Sequence, residues 1–181
     1  MVSELLKKKL TVLFRGLDVD KNGFVEREDF ARIASNFARI RGWETGSSDY
    51  ENLHNQVISM WEDYWIDADL NKDNKVSLDE FIESYSKQYV VDNDSSAAAW
   101  QEPMATLFEV IDINGDKKIA LEEYKQLLTA FGFNASGYEE IFQHLDTNGD
   151  GYISKQEYLQ LIKEYCGENP EATGNLFYGY Y

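Results

Sequence analysis

Four twelve-residue segments of this 181-residue chain align with one another, and that repetition limits the possible folds more than any other feature. They read DVDKNGFVERED from Asp18, DLNKDNKVSLDE from Asp69, DINGDKKIALEE from Asp112 and DTNGDGYISKQE from Asp146. Each has Asp first, Asp or Asn third and fifth, an aliphatic residue eighth and an acid twelfth. Ordinary Asp/Asn turns between helices do not require the twelfth-position acid, so the repeat is read as a set of binding loops.

A hard divalent cation explains the spacing. Calcium takes about six to eight oxygen ligands at about 2.3–2.6 Å. Positions one, three and five can aim side chains at a common centre, position seven lends its backbone carbonyl, and a carboxylate at twelve closes the site. The expected ligands are Asp18, Asp20, Asn22, Phe24 and Asp29 in the first loop and Asp69, Asn71, Asp73, Lys75 and Glu80 in the second. In the third they are Asp112, Asn114, Asp116, Lys118 and Glu123, and in the fourth Asp146, Asn148, Asp150, Tyr152 and Glu157. Phe24, Lys75, Lys118 and Tyr152 contribute through their carbonyls, so their side chains are free to vary.

The loops are not equal. The fourth has every expected residue, including Gly151 at the sharp sixth-position turn and Ser154 at the ninth. The second has Asn74 at the turn, which tolerates a left-handed backbone. The third has Lys117 there, at about 1 kcal/mol against glycine, and Ala120 at the ninth position, which offers no side-chain ligand. In the first, Asp29 stands where Glu is usual. A shorter carboxylate lowers coordination toward six, which magnesium prefers, while Glu26 at the ninth position offers a compensating carboxylate. The first loop is therefore the expected mixed calcium/magnesium site.

Apolar residues at i, i+3, i+4 and i+7 flank the loops and predict amphipathic helices. Entering stripes are Leu10–Leu13–Phe14–Leu17, Trp61–Tyr64–Trp65–Ala68, Met104–Leu107–Phe108–Ile111 and Tyr138–Ile141–Phe142–Leu145. Leaving stripes are Phe30–Ile33–Ala34–Phe37, Tyr124–Leu127–Leu128–Phe131 and Tyr158–Leu161–Ile162–Tyr165, with Phe81 and Tyr85 inward on the less regular helix over 81–90. The eighth residues Val25, Val76, Ile119 and Ile153 should pair as short ladders, loop one with two and three with four. The expected fold is all-α: two pairs of helix–loop–helix units, 1–91 and 99–167, a polar linker at 92–98 and a tail at 168–181. Five of the six residues Leu176, Phe177, Tyr178, Gly179, Tyr180 and Tyr181 are large and apolar or aromatic. Exposed, such a cluster invites aggregation, so the tail is expected to dock between the pairs.

Acids outnumber bases 33 to 17, for a formal charge of −16, which argues against nucleic acid and anionic membrane as partners. Thirteen of the 33 acids occupy loop positions one, three, five, nine or twelve, so much of the acidity is site chemistry. The start, MVSELLKKKL, has no apolar signal region, and no stretch is long and apolar enough to span a membrane. A cytoplasmic monomer is expected, and the formal sequons at Asn93 and Asn134 are read as chance. There is no nucleophile elbow, phosphate loop or zinc spacing, and the single Cys166 lies near Glu168, a poor setting for a thiolate. An enzyme is not expected.

The four loops with their helices resemble the EF-hand superfamily. The first two loops start 51 residues apart and the last two 34. That longer first half and the ending ATGNLFYG are similar to the sarcoplasmic calcium-binding proteins, with calexcitin, calerythrin and the coelenterazine-binding proteins as relatives. The resemblance implies two EF-hand pairs packed face to face. Members of that family often lack one or more loops, whereas this chain keeps all four, so the leading reading is an intracellular calcium buffer taking up to four ions, with magnesium possible at the first loop. One alternative is a calcium sensor that exposes an apolar surface to a target protein; with only three methionines, the chain lacks the adaptable surface sensors use, and a protein target is not indicated. A further alternative is a coelenterazine-type luciferin-binding protein, with His54 and His144 as cavity candidates.

Overall fold

Because each loop joins two amphipathic helices, the apolar stripes dictate how the units stack. The computed structural model describes residues 2–89, 104–133 and 136–181. The expected linker at 92–98 and the boundaries beside it lie outside these residues.

Helix α1 (Glu4–Leu17) begins where the Ser3 hydroxyl accepts the Leu6 N–H at 3.2 Å and runs into the first loop. Strand β1 (Phe24–Val25) and α2 (Arg27–Arg41) follow it. Helix α3 (Ser48–Met60) leads toward the second loop, which β2 (Val76–Ser77) and α4 (Leu78–Tyr89) complete. Helix α5 covers 104–111, then come β3 (Lys118–Ile119) and α6 (Leu121–Ala130). Helix α7 (Tyr138–Leu145), β4 (Ile153–Ser154) and α8 (Lys155–Tyr165) form the last unit.

The ladders form as the eighth positions require. Val25 pairs with Val76 in antiparallel β1–β2, and Ile119 with Ile153 in β3–β4. All four side chains are fully buried, so each ladder ties two loops together through backbone hydrogen bonds and an apolar contact.

One element departs from expectation. The spacing of the Trp61–Tyr64–Trp65–Ala68 stripe predicts ordinary helix. Instead, Trp61–Trp65 is a π-helical turn followed by a 3-10 turn at Ile66–Ala68. Packing explains this. The ring of Phe30 has Trp61 at 5.8 Å and Trp65 at 5.9 Å, and Trp65 also stacks on Phe81 at 4.9 Å. Two indoles share one ring, and the wide turn makes room for both.

The two pairs meet along α2 and α6. Phe37 meets Phe131 edge to face at 5.9 Å, and the Asn36 side chain donates to the Ala130 carbonyl at 3.0 Å. Arg41 adds a polar tie. Its guanidinium donates to the Val110 carbonyl and lies 5.0 Å from the rings of both Phe37 and Trp43. Burial lowers its pKa to about 10, and Glu123 acts in the opposite direction.

The tail turns back through a 3-10 turn at Thr173–Leu176. Phe177 is fully buried against Tyr124 (5.8 Å) and Tyr158 (5.5 Å), and its carbonyl accepts the Tyr124 hydroxyl at 2.8 Å. Tyr178 is buried on Tyr165 and Phe133, both at 4.9 Å. Leu176 is half-buried, while Tyr180 and Tyr181 are exposed. Lys9 anchors the tail to the first pair. It is fully buried, and its ammonium donates to the Asn175 side chain and the Gly167 carbonyl, each at 2.7 Å. Burial lowers its pKa, and the carbonyls at the end of α8 offset the cost of the buried charge. Gly174 passes so close to α8 that a Cβ there would collide with the Leu161 carbonyl.

Burying Phe177 contributes on the order of 1.5–3 kcal/mol before the cost of ordering the tail. Deleting residues 175–181, or the single change Gly174→Ala, is therefore expected to lower stability by at least about 1 kcal/mol and to increase binding of an apolar-surface dye to the calcium form. Urea unfolding and dye fluorescence check this; unchanged values in both variants would show that the tail contributes nothing.

Candidate metal centres

The same hydrogen-bond scaffold recurs in all four loops. The first-position Asp accepts backbone N–H groups from across its loop. Asp18 takes those of Asn22 and Gly23, and Asp69 those of Lys72, Asp73 and Asn74. Asp112 takes Gly115, Asp116 and Lys117, and Asp146 takes Gly149, Asp150 and Gly151. The third- and fifth-position side chains accept the N–H two residues on, as Asn71 does from Asp73 and Asp150 from Tyr152. These Asx turns curl each loop around one centre.

The twelfth-position acids close each ring. Asp29 accepts from Val19 at 3.0 Å and Glu26 at 2.9 Å. Glu80 accepts from Asn71 and Ser77, Glu123 from Ile113 and Ala120, and Glu157 from the Thr147 hydroxyl and Ser154. Hydrogen bonds from the Ser77 backbone and hydroxyl hold Glu80 below the usual carboxylate range. Burial pushes Glu157 upward, but the bonds from Ser154 and Thr147 outweigh it and leave it lowered. Asp29 goes the other way. Its burial raises its pKa, with Asp20 adding to the rise, against opposing bonds from Glu26, Asp20 and Val19.

Among the described residues, Asp18, Asp20 and Asp29 form the one group of three carboxylates with oxygens all within 4.8 Å of one another. The acids at positions one, five and twelve of the other loops share the scaffold without gathering so tightly. Asp18, Asp29, Asp69 and Glu123 are buried. Like charges held together in a buried ring need a cation or protons to balance them, and an all-oxygen donor set of this kind suits calcium or magnesium.

Two features were not read from the sequence. Position four is left-handed in every loop: Lys21 (φ 59°) and Lys72 (φ 62°) in the first pair, Gly115 and Gly149 in the second. The two glycines carried that signal. Position seven also has a cross-loop role. The Lys75 ammonium lies 5.3 Å from the Phe24 ring, and Lys118 lies 4.7 Å from Tyr152, so each pair sets a lysine on an aromatic ring across its ladder. At position six, Asn74 (φ 67°) and Lys117 (φ 65°) are left-handed, as the pattern requires. Elsewhere, His54 stacks on Tyr50 at 5.8 Å in α3, and His144 lies on the last turn of α7, exposed. Burial pushes the Cys166 thiol up to about 11, too high for a nucleophilic thiolate at neutral pH.

Four all-oxygen loops on paired helix–loop–helix units define a calcium-binding protein of the EF-hand type. The chain belongs to the EF-hand domain pair family, which matches it over residues 7–86 and 101–163. It is 34% identical over 110 residues to the alpha-B and -A chains of the sarcoplasmic calcium-binding protein of Penaeus sp., a match covering 60% of this chain and 57% of that relative's length. Against sarcoplasmic calcium-binding proteins I, III and IV of Branchiostoma lanceolatum it is 26% identical over 133 residues, 72% of each. In fold it is similar to the calcium-loaded apo form of coelenterazine-binding protein from Renilla muelleri, with TM-score 0.80 and 23% identity over 98% of this chain and 99% of that one. The amphioxus sarcoplasmic calcium-binding protein superposes over 100% of both chains with TM-score 0.78 and 21% identity. These relatives are calcium-binding proteins rather than enzymes. No helix among the described residues is long and apolar enough to cross a membrane.

Lys117→Asn copies the second loop's solution at position six without glycine's extra freedom in the unfolded chain. It should raise stability by about 0.5–1 kcal/mol, a rise of a few degrees in Tm by calorimetry. A fall would mean that Lys117 carries no strain.

Proposed function

We propose that this chain is a calcium buffer of the sarcoplasmic calcium-binding type, with 1–91 and 99–167 as its two EF-hand pairs. It takes up to four calcium ions through positions one, three, five, seven and twelve of each loop, and accepts magnesium at the first. Filling four sites would bring the formal charge from −16 to about −8.

The observation that carries the reading is the tail. A sensor must present apolar surface when calcium binds. Here Phe177 and Tyr178 already occupy that kind of surface on Tyr124, Tyr158, Phe133 and Tyr165, and Lys9 latches the segment in place. Rigid aromatics on both sides of the contact suit a permanent interior.

Calorimetry with calcium, in the presence and absence of magnesium, tests the reading. Four ions at saturation are expected, with magnesium competing at one site and little change in apolar-dye fluorescence on calcium binding. Two ions or fewer, or a large rise in dye binding, would overturn it.

A further inference from the structure

Glu26 stands at the ninth position of the first loop, where its carboxylate was expected to serve the bound ion. The structure gives it a different partner. Its Oε1 accepts the Lys75 ammonium at 2.7 Å, with the Glu26 side chain 16% exposed and that of Lys75 45%. Glu26 is not in the tight group of Asp18, Asp20 and Asp29. Lys75 is the seventh residue of the second loop, carried to Glu26 by the β1–β2 register that sets Phe24 opposite Ser77 and Val25 opposite Val76. Its ammonium lies over the Phe24 ring, and Asp73 and Glu28 add negative charge around it.

We propose that Lys75 is a specificity-determining residue for the first site: by holding Glu26 on the second loop, it leaves three carboxylates for the first ion and keeps that site open to magnesium. This rests on the reading of the first loop as a calcium/magnesium site. Magnesium demands six ligands at about 2.0–2.1 Å, whereas calcium accepts up to about eight, so a fourth carboxylate favours calcium. The charge of Lys75 opposes both divalent ions alike and cancels in their ratio; a change in ligand number does not cancel. The second pair offers an internal contrast. Lys118 sits over Tyr152 in the same way, but the ninth residue of its own loop is Ala120 and that of the facing fourth loop is Ser154, so there is no ninth-position carboxylate to withdraw.

The backbone amides of Gly23 and Asn74 donate to Asp18 and Asp69 at 3.0 and 2.8 Å, so heteronuclear NMR of the full chain reads the first two loops separately during titrations with calcium alone and magnesium alone. Lys75→Met keeps the stem and the backbone carbonyl. It should raise the calcium-over-magnesium ratio at Gly23 by about fivefold, the scale set by a partly exposed ion pair. Adding Glu26→Gln should remove that gain, and Glu26→Gln alone should leave the ratio within about twofold. A gain that survives in the double variant, an unmoved ratio in Lys75→Met, or a loss in Glu26→Gln alone as large as beside Lys75→Met would overturn the proposal while leaving the mixed site intact. If Gly23 of the unaltered chain answers to neither ion, the first loop is not a site, and both readings fall.

Discussion

Everything in this protein is arranged around carboxylates that would repel one another if left alone. Asp18 and Asp29 are buried within a few ångströms of each other and of Asp20, and each takes backbone N–H groups on both oxygens. The amides supply fixed partial positive charge at no side-chain entropy. That lets the acids stay close while leaving room for a cation to complete the balance. The turns, the left-handed fourth and sixth positions and the helix starts at Arg27, Leu78, Leu121 and Lys155 all follow from keeping those oxygens aimed inward.

The ladders convert four such rings into two coupled pairs. Because Val25 faces Val76 and Ile119 faces Ile153 in the core, a shift in one loop moves the strand of its partner. Side chains add to the backbone link. The lysines at position seven reach across to aromatic rings, and Lys75 goes further by taking a carboxylate from the neighbouring loop. The selectivity of one loop can then be set by a residue of another, which a loop-by-loop comparison of ligands would not reveal.

Between the pairs, the contacts are mostly aromatic, with a few buried polar ties. Lys9 and Arg41 are both partly desolvated cations whose partners are main-chain carbonyls or an amide oxygen. Such groups are costly to bury without partners and specify geometry when satisfied. Lys9 joins the first helix, the end of the last helix and the tail in one contact. The tail aromatics Phe177 and Tyr178 then cover the apolar faces of Tyr124, Tyr158, Phe133 and Tyr165, the contact on which the proposed buffer role rests.

The sequence by itself determined the loops, their oxygen-rich composition and their pairing. All of that is local or strictly periodic: Asp18 to Asp29 and its three counterparts repeat at a fixed spacing, and an aliphatic eighth residue has one place to go. The stripes from Leu10 to Leu17 and from Tyr124 to Phe131 were legible for the same reason. The tertiary structure alone decided the π turn at Trp61–Trp65, because two indoles competing for the Phe30 ring are neighbours only in space. It alone decided that Lys9, polar by type, is buried, since its partners are some 155 to 166 residues away. And it set the Glu26 carboxylate against the Lys75 ammonium, because the β1–β2 register brings residues 49 apart in the chain within hydrogen-bond reach. Short-range patterns specify which atoms can bind an ion; long-range packing specifies which of them are free to do so.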